Sequence, residues 1–342
     1  MKLLKIALVC CGILLFFPLH AQDHQNAVIG FYNLENLFDT INDPNKNDEE
    51  FLPDGKNQWN SEKYHIKLKN MAEVVSLIGA EYGGFVVLGV SEIENQSVLE
   101  DLIVQEKLAK YKLKVAHHDS PDRRGVDVSF LYNPARFEFI SLKAFPLIVP
   151  NKPDFISRDQ VLMTGVLDKK DTLFIIVNHW PSKSGGEARS APGRNAAGAL
   201  SKHICDSIFA YHPNANIIIM GDLNADPIEK SITKELGAIG KIKDLTPQKI
   251  YNPMYPMFQD GIGTLAYQDN WNLFDQIMVS YNLVIPNSNN YYKFSNAYVF
   301  RKSFMINKSG SFAGYPFRTF AGGSFVGGYS DHLPVYIILQ KK

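Results

Sequence analysis

Polar residues of the types that bind metal ions, carry protons and donate hydrogen bonds to phosphate stand at the ends of short strand-like runs in this chain. Each follows or interrupts an apolar run that is rich in strand-forming residues. This recurrence predicts one site assembled from several strand ends, with acid–base groups beside a hard divalent cation. In chain order these residues are Asn33, Glu92, His179, Asp222, Asn224, Asp275, Asp331 and His332.

Asp222 and Asn224 belong to the run Gly221-Asp222-Leu223-Asn224, which directly follows a very apolar segment. If the extended conformation continues, the two side chains point the same way. One is then placed to accept a proton or orient water, and the other to donate to a phosphoryl oxygen. A turn in which Asp and Asn make local backbone hydrogen bonds is the alternative.

Two histidines are candidate proton carriers. His332 follows Asp331 in a strand-like run, so the two side chains point to opposite faces and are not expected to pair. Asp275 lies inside another strand-like run, where a buried carboxylate needs a partner, and a histidine would serve. His179 stands just before Trp180-Pro181, where a strand must stop. A purely structural role is the alternative for His179.

Glu92 and Glu94 bracket Ile93 at a strand end, so in extended geometry both carboxylates face one side. One is expected to bind a metal ion, and the other to be a surface or supporting residue. Asn33 follows the first strand in the same way. Mg²⁺ needs few protein oxygens, so one or two carboxylates and an amide suffice. The candidate phosphate-binding arginines, with solvated surface as the default for each, are Arg123, Arg124, Arg189 and Arg194.

Strand-like and helix-like segments interleave irregularly, without an internal repeat or a linker. Strands are expected at 27–32, 85–90, 126–132, 137–142, 161–167, 173–177, 217–220, 263–267, 274–280 and 333–339. Helices are expected at 61–78, 97–110 and 194–211, with a short one after Asp226-Pro227. This mixture predicts a single α/β domain over residues 22–342, with two mixed sheets packed face to face and helices outside.

Two long stretches lack a clear period. Residues 42–60 are dense in Asn, Asp, Glu and Pro, lack the spacing of a calcium-binding loop, and are expected to be a solvated loop. Residues 301–329 are rich in Gly, Ser and Phe, and their aromatic residues predict a long ordered loop of the kind that is often functional. Exposed aromatic side chains between Phe304 and Phe325 would be placed to contact a lipid surface or to stack on bases.

The first 21 residues are expected to be a secretory signal peptide. Lys2 and Lys5 form its charged start, residues 6–19 are almost wholly apolar, and Ala21 offers a cleavage site before Gln22. The expected location is therefore secreted or periplasmic, with a signal anchor as the alternative. No later run is long enough to span a bilayer.

Charge and cysteine content narrow the class of protein. The 342 residues contain 35 Lys+Arg and 35 Asp+Glu, and the loss of Lys2 and Lys5 would leave a slight acidic excess. This balance excludes a global basic surface for nucleic acid but leaves a local patch open. Lipid attachment at Cys10 or Cys11 is less favoured, because no small residues precede them. Only Cys205 would then remain, so no internal disulfide is expected.

These pieces, in this order, resemble the endonuclease/exonuclease/phosphatase superfamily and in particular its deoxyribonuclease-like branch. The resemblance runs from about Ala27 to Leu339, and implies a four-layer α/β/β/α sandwich with the site at one end of the two sheets. The matching pieces are Tyr32-Asn33, Ser91-Glu92, Asn178-His179, Gly221-Asp222-Leu223-Asn224, Phe274-Asp275-Gln276-Ile277 and Ser330-Asp331-His332.

The resemblance also implies roles for these residues. Glu92 is the main divalent-metal ligand, with Asn33 and Asp331 near the same ion. Asp222 positions or deprotonates the attacking water, and Asn224 contacts the phosphate. Of the candidate arginines, Arg124 and Arg194 are expected to bind the substrate, apart from the resemblance. His332 is oriented by Asp275, and His179 is the second histidine. In that branch a carboxylate backs the second histidine, and Asp127 is the candidate here.

The activity implied is that of a divalent-metal-dependent phosphoester hydrolase, first a secreted nuclease or phosphodiesterase that uses Mg²⁺, with Mn²⁺ or Ca²⁺ as alternatives. A phosphomonoesterase or a sphingomyelinase-like phospholipid hydrolase on the same scaffold is the second hypothesis, and a non-enzymatic binding module is the third. The expected partner is a phosphate-ester substrate such as DNA or RNA, and the sequence gives no sign of a stable protein partner. Residues 301–329 are expected to form one rim of the cleft.

Overall fold

The computed structural model describes residues 25–288 and 291–341. The expected signal peptide and its cleavage site lie outside the described residues. Within these ranges, no helix combines the length and the apolar character that a membrane span requires.

Each expected strand is present, and several extend further toward the site, but six of the sixteen strands of the described residues were not expected, among them the seven-residue Lys293–Val299. In chain order, the strands are β1 (Gln25–Leu37), β2 (Phe85–Ile93), β3 (Lys114–His117), β4 (Asp127–Tyr132), β5 (Phe137–Phe145), β6 (Gln160–Leu167), β7 (Asp171–His179), β8 (Asn216–Asp222), β9 (Ile250–Tyr251), β10 (Leu265–Tyr267), β11 (Asn270–Asn272), β12 (Asp275–Ser280), β13 (Lys293–Val299), β14 (Phe320–Ala321), β15 (Ser324–Phe325) and β16 (Val335–Lys341).

The helices are α1 (Ser61–Leu77), α2 (Gln96–Ile103), α3 (Glu106–Ala109), α4 (Glu187–Tyr211), α5 (Met254–Gln259) and α6 (Tyr281–Val284). The single helix expected at 97–110 is wrong, because the chain leaves the helix at Val104 and starts a new turn after Gln105. The third helix starts at Glu187, earlier than expected, through a polar opening that includes Pro192. The short helix after Asp226-Pro227 is a π-helical segment, Ser231–Leu236.

The strands form two mixed six-stranded sheets and two small two-stranded ones. One large sheet has the order β13-β16-β1-β2-β4-β3, and the other has the order β5-β6-β7-β8-β12-β9. Each contains one parallel pair near its centre, β1–β2 and β7–β8, between antiparallel neighbours. The expected pair of mixed sheets is confirmed.

Three apolar layers hold the sandwich together, because alternate residues of each strand face opposite sides. Ile218 and Met220 of β8 face the other sheet and pack with residues such as Ile29 and Val87. Ile217 and Ile219 face outward and pack against α4. On the other side, α1, α2 and α3 cover the outer face of the first sheet. The four-layer α/β/β/α sandwich is therefore confirmed.

Most aromatic residues of the 301–329 stretch pack against other side chains. Trp59, just before α1, contacts the rings of Phe320 and Phe325 at centroid distances of 5.8 and 6.1 Å. Tyr329 contacts the ring of Phe304 at 5.1 Å. The long ordered loop is as expected, and the expected exposure of aromatic side chains holds for Phe312, which is 39% exposed, but not for Phe320 and Phe325, which are half-buried.

Candidate active site

Strand pairing within the second sheet places three of the candidate residues side by side. The parallel pairing of β7 and β8 sets His179 opposite Asp222, and the antiparallel pairing of β8 and β12 sets Asp222 opposite Asp275. Gly221 permits this approach, because a Cβ on it would lie 2.2 Å from the carbonyl oxygen of Asn178. The site thus depends on the close fit of the two central strands.

Asn33 joins the two sheets at the site. It lies within β1, opposite Ser91 of β2 and just before the register of this pairing shifts, and it is fully buried. Its Nδ2 donates to Oε1 of Glu92 and to Oδ2 of Asp222, both at 3.1 Å. One amide therefore bridges a carboxylate of each sheet, and brings Glu92 and Asp222 to the same point.

Left-handed backbone conformations at non-glycine residues cluster around this point. Glu35, Asn36, Glu92 and Asn224 have φ angles of +48°, +52°, +56° and +46°. The strand registers shift at the same places, between Asn33 and Leu37 in the β1–β2 pairing and between Ser91 and Ile93 in the β2–β4 pairing. Bulges of this kind re-aim side chains beside active sites, and such strained residues concentrate where function requires them.

His332 is held by Asp275. Its Nδ1 lies 2.7 Å from Oδ2 of Asp275, a residue with no exposed surface, and its Nε2 lies 3.8 Å from Oδ2 of Asp222. Burial disfavours the imidazolium, but the carboxylates of Asp275 and Asp222 outweigh it and raise the pKa of His332 well above its ordinary value. The structure therefore brings these three predicted residues together, with the histidine favoured as a cation.

His179 has the opposite character. Its Nε2 lies 3.6 Å from Oδ2 of Asp222 and 3.8 Å from Oε1 of Glu92, while its buried Nδ1 has no hydrogen-bond partner within the described ranges. Burial, followed by the positive charges of Arg158 and Arg124, lowers the pKa of His179 well below its ordinary value. Two histidines at one site thus favour different charge states, which is how one site holds both an acid and a base.

The expectation that Asp127 backs His179 is wrong. Its Oδ2 lies 2.8 Å from Nε2 of His117, and its Oδ1 accepts the backbone N–H of Ser120 at 2.8 Å. Both oxygens are therefore used within the β3–β4 region. The register of β3 against β4 places Asp127 beside His117, and residue types alone do not reveal that register.

Asp222 and Asn224 form a turn and not an extended pair. Oδ1 of Asp222 accepts the backbone N–H of Asn224 at 3.0 Å, and Nδ2 of Asn224 donates to the carbonyl of Trp180 at 3.0 Å. The alternative of a local hydrogen-bonded turn is the one observed. Burial raises the pKa of Asp222 to about 7, and the charge of His332 opposes this rise.

Two groups of side chains have ligand atoms close enough to share a cation. Glu92, His179 and Asp222 place one ligand atom each within 4.8 Å of one another, and Asp222, Asp275 and His332 do the same. Glu92 remains partly exposed, whereas its partners are buried. Carboxylate oxygens that converge around a buried imidazole nitrogen fit a divalent ion. Asn33 presents its NH₂ to this group, and its Oδ1 accepts from the backbone of Glu35 at 2.9 Å.

Asp331, the third expected metal ligand, makes a different contact. Its Oδ2 accepts from Nη2 of Arg318 at 2.5 Å, and its Oδ1 lies 4.0 Å from Nε2 of His332. Arg318 also approaches Glu35, with 3.4 Å between Nε and Oε1. Asp331 therefore lies at the edge of the site and faces an arginine that the sequence did not single out.

Of the four candidate arginines, Arg123, Arg124 and Arg189 are exposed, and Arg194 is buried. Arg124 has a half-exposed side chain, and its charge acts on His179. Arg194 is buried, and its guanidinium donates to Glu187, Ser190 and Ser182 near the start of α4. Arg194 as a phosphate-binding residue is therefore wrong, because its donors are committed and solvent does not reach it.

Arg158 was missed by the sequence, although it fixes the end of β7. Its Nε donates to the carbonyl of His179 at 3.2 Å, and its Nη2 donates to that of Trp180 at 2.9 Å. Its Nη1 pairs with Asp122 at 3.1 Å. An isolated arginine in a loop carries no local signal for such a role, which arises only from long-range packing.

Glu94 is a buried carboxylate beside the site. Its Oε2 accepts the backbone N–H of Asp39 at 2.7 Å, and burial, with Asp39 and Asp48 nearby, raises its pKa to about 8. The folded state thus holds a proton that the unfolded chain releases at an ordinary carboxyl pKa. The contribution of Glu94 to the free energy of unfolding therefore falls as the pH rises from the ordinary carboxyl pKa to about 8.

We expect Glu94→Gln to raise the melting temperature at pH 8.5 and to change it little at pH 5, because glutamine keeps the acceptor without the charge. Thermal unfolding at both pH values measures this difference. Asp119→Asn on the exposed surface is the control, and a gain of equal size at both pH values would contradict the assignment.

Comparison with known proteins places the fold. An endonuclease/exonuclease/phosphatase family protein from Bacteroides thetaiotaomicron is 15% identical, with a TM-score of 0.54 over 93% of this chain and 99% of that chain. A mannosyl-6-phosphatase from Bacteroides thetaiotaomicron VPI-5482 is 15% identical, with a TM-score of 0.53 over 92% and 99%. TDP2 from D. rerio, complexed with single-strand DNA product, is 12% identical, with a TM-score of 0.53 over 92% and 98%. These likenesses show the fold alone.

The sequence itself identifies the family. A search of curated proteins found no match to this sequence. Residues 28–341 match a family described as Endonuclease/Exonuclease/phosphatase, nearly the full span of the described residues. The resemblance drawn from the sequence is therefore confirmed, and the chain belongs to the endonuclease/exonuclease/phosphatase family of phosphoester hydrolases.

Proposed function

We propose that this protein is a magnesium-dependent phosphodiesterase that cleaves nucleic acid by attack of water on phosphorus. The observation that carries the proposal is the convergence of Glu92, His179, Asp222 and the His332–Asp275 pair at the one point where the two sheets meet. This set contains a cation site, a buried carboxylate and two histidines of opposite charge preference.

Each residue has a role that follows from its position. Asp222 orients the attacking water and accepts its proton, since burial leaves its pKa at about 7, near the working pH. His332, held as a cation by Asp275, stabilises the negative charge that develops on the phosphoryl oxygens. Glu92 would hold the divalent ion, and Asn33, whose NH₂ donates to Glu92 and whose Oδ1 accepts from the backbone of Glu35, would orient this carboxylate and not ligate the ion as expected. That ion, when bound, supplies charge neutralisation at the scissile phosphate.

A nucleic-acid substrate is favoured by the surface next to His179. A cavity of about 670 Å³ is lined by Lys152, Arg189, Asp154 and Pro181, together with the buried Arg158 that donates to the carbonyl of His179. The exposed part of Arg124 adds charge on the same side. Positive side chains along a surface that opens beyond the site suit a phosphate backbone. The TDP2 structure with single-strand DNA product supports this class of substrate.

A phosphomonoester substrate is the second candidate. Arg318 places a guanidinium beside Asp331, and a monoester carries one more negative charge than a diester. The mannosyl-6-phosphatase among the similar structures supports it. The argument for a phospholipid substrate is weaker, because Phe320 and Phe325, two of the aromatic side chains expected to contact lipid, pack against Trp59.

Export from the cytoplasm is part of the proposal, on the strength of the charged start and the apolar segment before Gln22. A reporter fused to residues 1–21 should leave the cytoplasm, whereas one with the apolar segment interrupted by charges should not. Retention of both would remove this part of the proposal.

We expect protein produced from Gln22 onward to nick supercoiled plasmid in Mg²⁺ and to lose this activity in EDTA. The same preparation should release little inorganic phosphate from hexose phosphates. Phosphate release without nicking would move the substrate to monoesters. Absence of both activities from folded protein would contradict the proposed function.

A further inference from the structure

The 301–329 loop is fastened to one stripe of α1. Lys67, which is buried, donates through Nζ to Oγ1 of Thr319 and to the carbonyl of Tyr329, both at 2.6 Å. Asn70 donates to the carbonyls of Gly327 and Gly328 at 2.9 and 3.0 Å. These residues are one helical turn apart, so they form a continuous line of contact. The loop is therefore held at a fixed position relative to the sheets.

This attachment delivers Arg318 to the edge of the site. The backbone N–H of Thr319 donates to Oε2 of Glu35 at 2.7 Å, and Lys67 Nζ lies 3.8 Å from the same oxygen. Arg318 bridges Glu35 and Asp331, with distances of 3.4 Å from Nε and 2.5 Å from Nη2. Asp331 is in turn 4.0 Å from Nε2 of His332. A single carboxylate separates the guanidinium from the catalytic histidine.

The contacts of Arg318 differ from those of a purely structural arginine. Its side chain is 39% exposed, whereas the side chain of Lys67 behind it has no exposed surface. Its Nη1 makes no hydrogen bond within the described part of the chain. The backbone N–H of Thr319 already anchors the loop on Oε2 of Glu35 at 2.7 Å, whereas Arg318 reaches the other oxygen, Oε1, at a longer 3.4 Å. The partly exposed guanidinium lies at the edge of the site, beside Asp331.

We propose that Arg318 is a substrate-binding residue that releases Asp331 and binds the phosphoryl oxygens of the substrate. A guanidinium fork fits two phosphate oxygens as it fits a carboxylate, so the exchange preserves its geometry. Asp331 is then free to turn toward the divalent ion that Glu92 holds. This inference rests on the proposed function, and adds a residue that the loop alone contributes.

The test compares Arg318→Gln and Arg318→Lys with the wild type, and uses Lys308→Gln, an exposed residue of the same loop, as the matched control. Calorimetry measures binding of inorganic phosphate in Mg²⁺ and, separately, binding of Mn²⁺ without phosphate. Arg318→Gln should weaken phosphate binding roughly 10- to 100-fold, because a charge-assisted hydrogen bond is lost. Arg318→Lys should be intermediate, and Lys308→Gln should match the wild type.

Mn²⁺ binding separates substrate binding from a positioning role. Removal of the guanidinium should leave Mn²⁺ affinity equal or tighter, because Asp331 loses its competing partner. Unchanged phosphate affinity in Arg318→Gln, or Mn²⁺ affinity that weakens in parallel, would overturn the inference. If Arg318→Gln fails to fold, Arg318→Lys carries the same two measurements. A wild type that neither binds Mn²⁺ nor hydrolyses any ester would instead refute the proposed function.

Discussion

Replacement of His332 by alanine is expected to lower kcat/KM by roughly 10²- to 10⁴-fold, the range for removal of a positioned proton-transfer or charge-stabilising group. The histidine has its Nδ1 fixed at 2.7 Å from Asp275 and its Nε2 turned toward Asp222. The loss should fall mainly on kcat, because the interaction with the phosphoryl group strengthens as charge develops in the transition state. Initial rates on the substrate identified with the plasmid and phosphate assays measure it.

The chain offers a matched control for this change. His117 also lies 2.8 Å from a buried aspartate, Asp127, but that pair belongs to β3 and β4 and contributes to neither of the two cation-binding groups. His117→Ala should therefore keep the activity while testing the general cost of breaking a histidine–aspartate pair. Equal loss in the two variants, with equal melting temperatures, would contradict the role assigned to His332.

Replacement of Glu92 by glutamine is expected to weaken divalent-ion binding at least about tenfold, because changes to groups that only support a metal ligand already cost 10- to 100-fold. Glu92 is the partly exposed carboxylate of its group, and its Oε1 lies 3.1 Å from Nδ2 of Asn33 and 3.8 Å from Nε2 of His179. Glutamine keeps the size but removes the charge that attracts the ion. Titration of Mn²⁺ by calorimetry measures the affinity without any need for a substrate.

Glu94→Gln is the matched control for Glu92→Gln. Both glutamates lie at the end of β2, but their carboxylates contact different groups. Glu94 accepts from the backbone of Asp39, away from Asp222 and His179. Its substitution should leave Mn²⁺ affinity unchanged at pH 7. If Glu92→Gln binds Mn²⁺ as the wild type does, the ion does not depend on Glu92.

The sequence sufficed to predict the fold class because its short apolar runs are clearly separated by polar segments. Ile217, Ile218 and Ile219 form a short buried strand whose neighbours on both faces must be apolar, and the structure has a sheet on one side and α4 on the other. The polar residue after each such run was recognisable as a candidate site residue, because a polar side chain at a buried strand end needs a hydrogen-bond or ion partner. Asn33, Glu92, His179, Asp222, Asp275 and His332 consequently meet as expected.

What the sequence missed depends on backbone conformation and register. Glu92 and Asn224 adopt left-handed φ values, which residue types alone do not announce, so extrapolation of an extended strand failed at Asn224. Asp127 was joined to the wrong histidine because a shift of register decides which side chains face each other. The sequence pointed to Arg194 and not to Arg318, because the burial of one and the exposure of the other follow from the packing of α4 and of the 301–329 loop.

The pairing of β16 between β13 and β1 sets the order in which the site can be completed during protein synthesis. Asp222 and Asp275 emerge from the ribosome well before His332, which precedes β16. Until β16 has been synthesised, β1 and β13 lack the strand that pairs with both, and the first sheet is incomplete. A nascent chain therefore carries its carboxylates without its charged histidine. A chain truncated before Val335 is therefore expected to show no hydrolytic activity, because β1 and β13 then lack the strand that pairs with both.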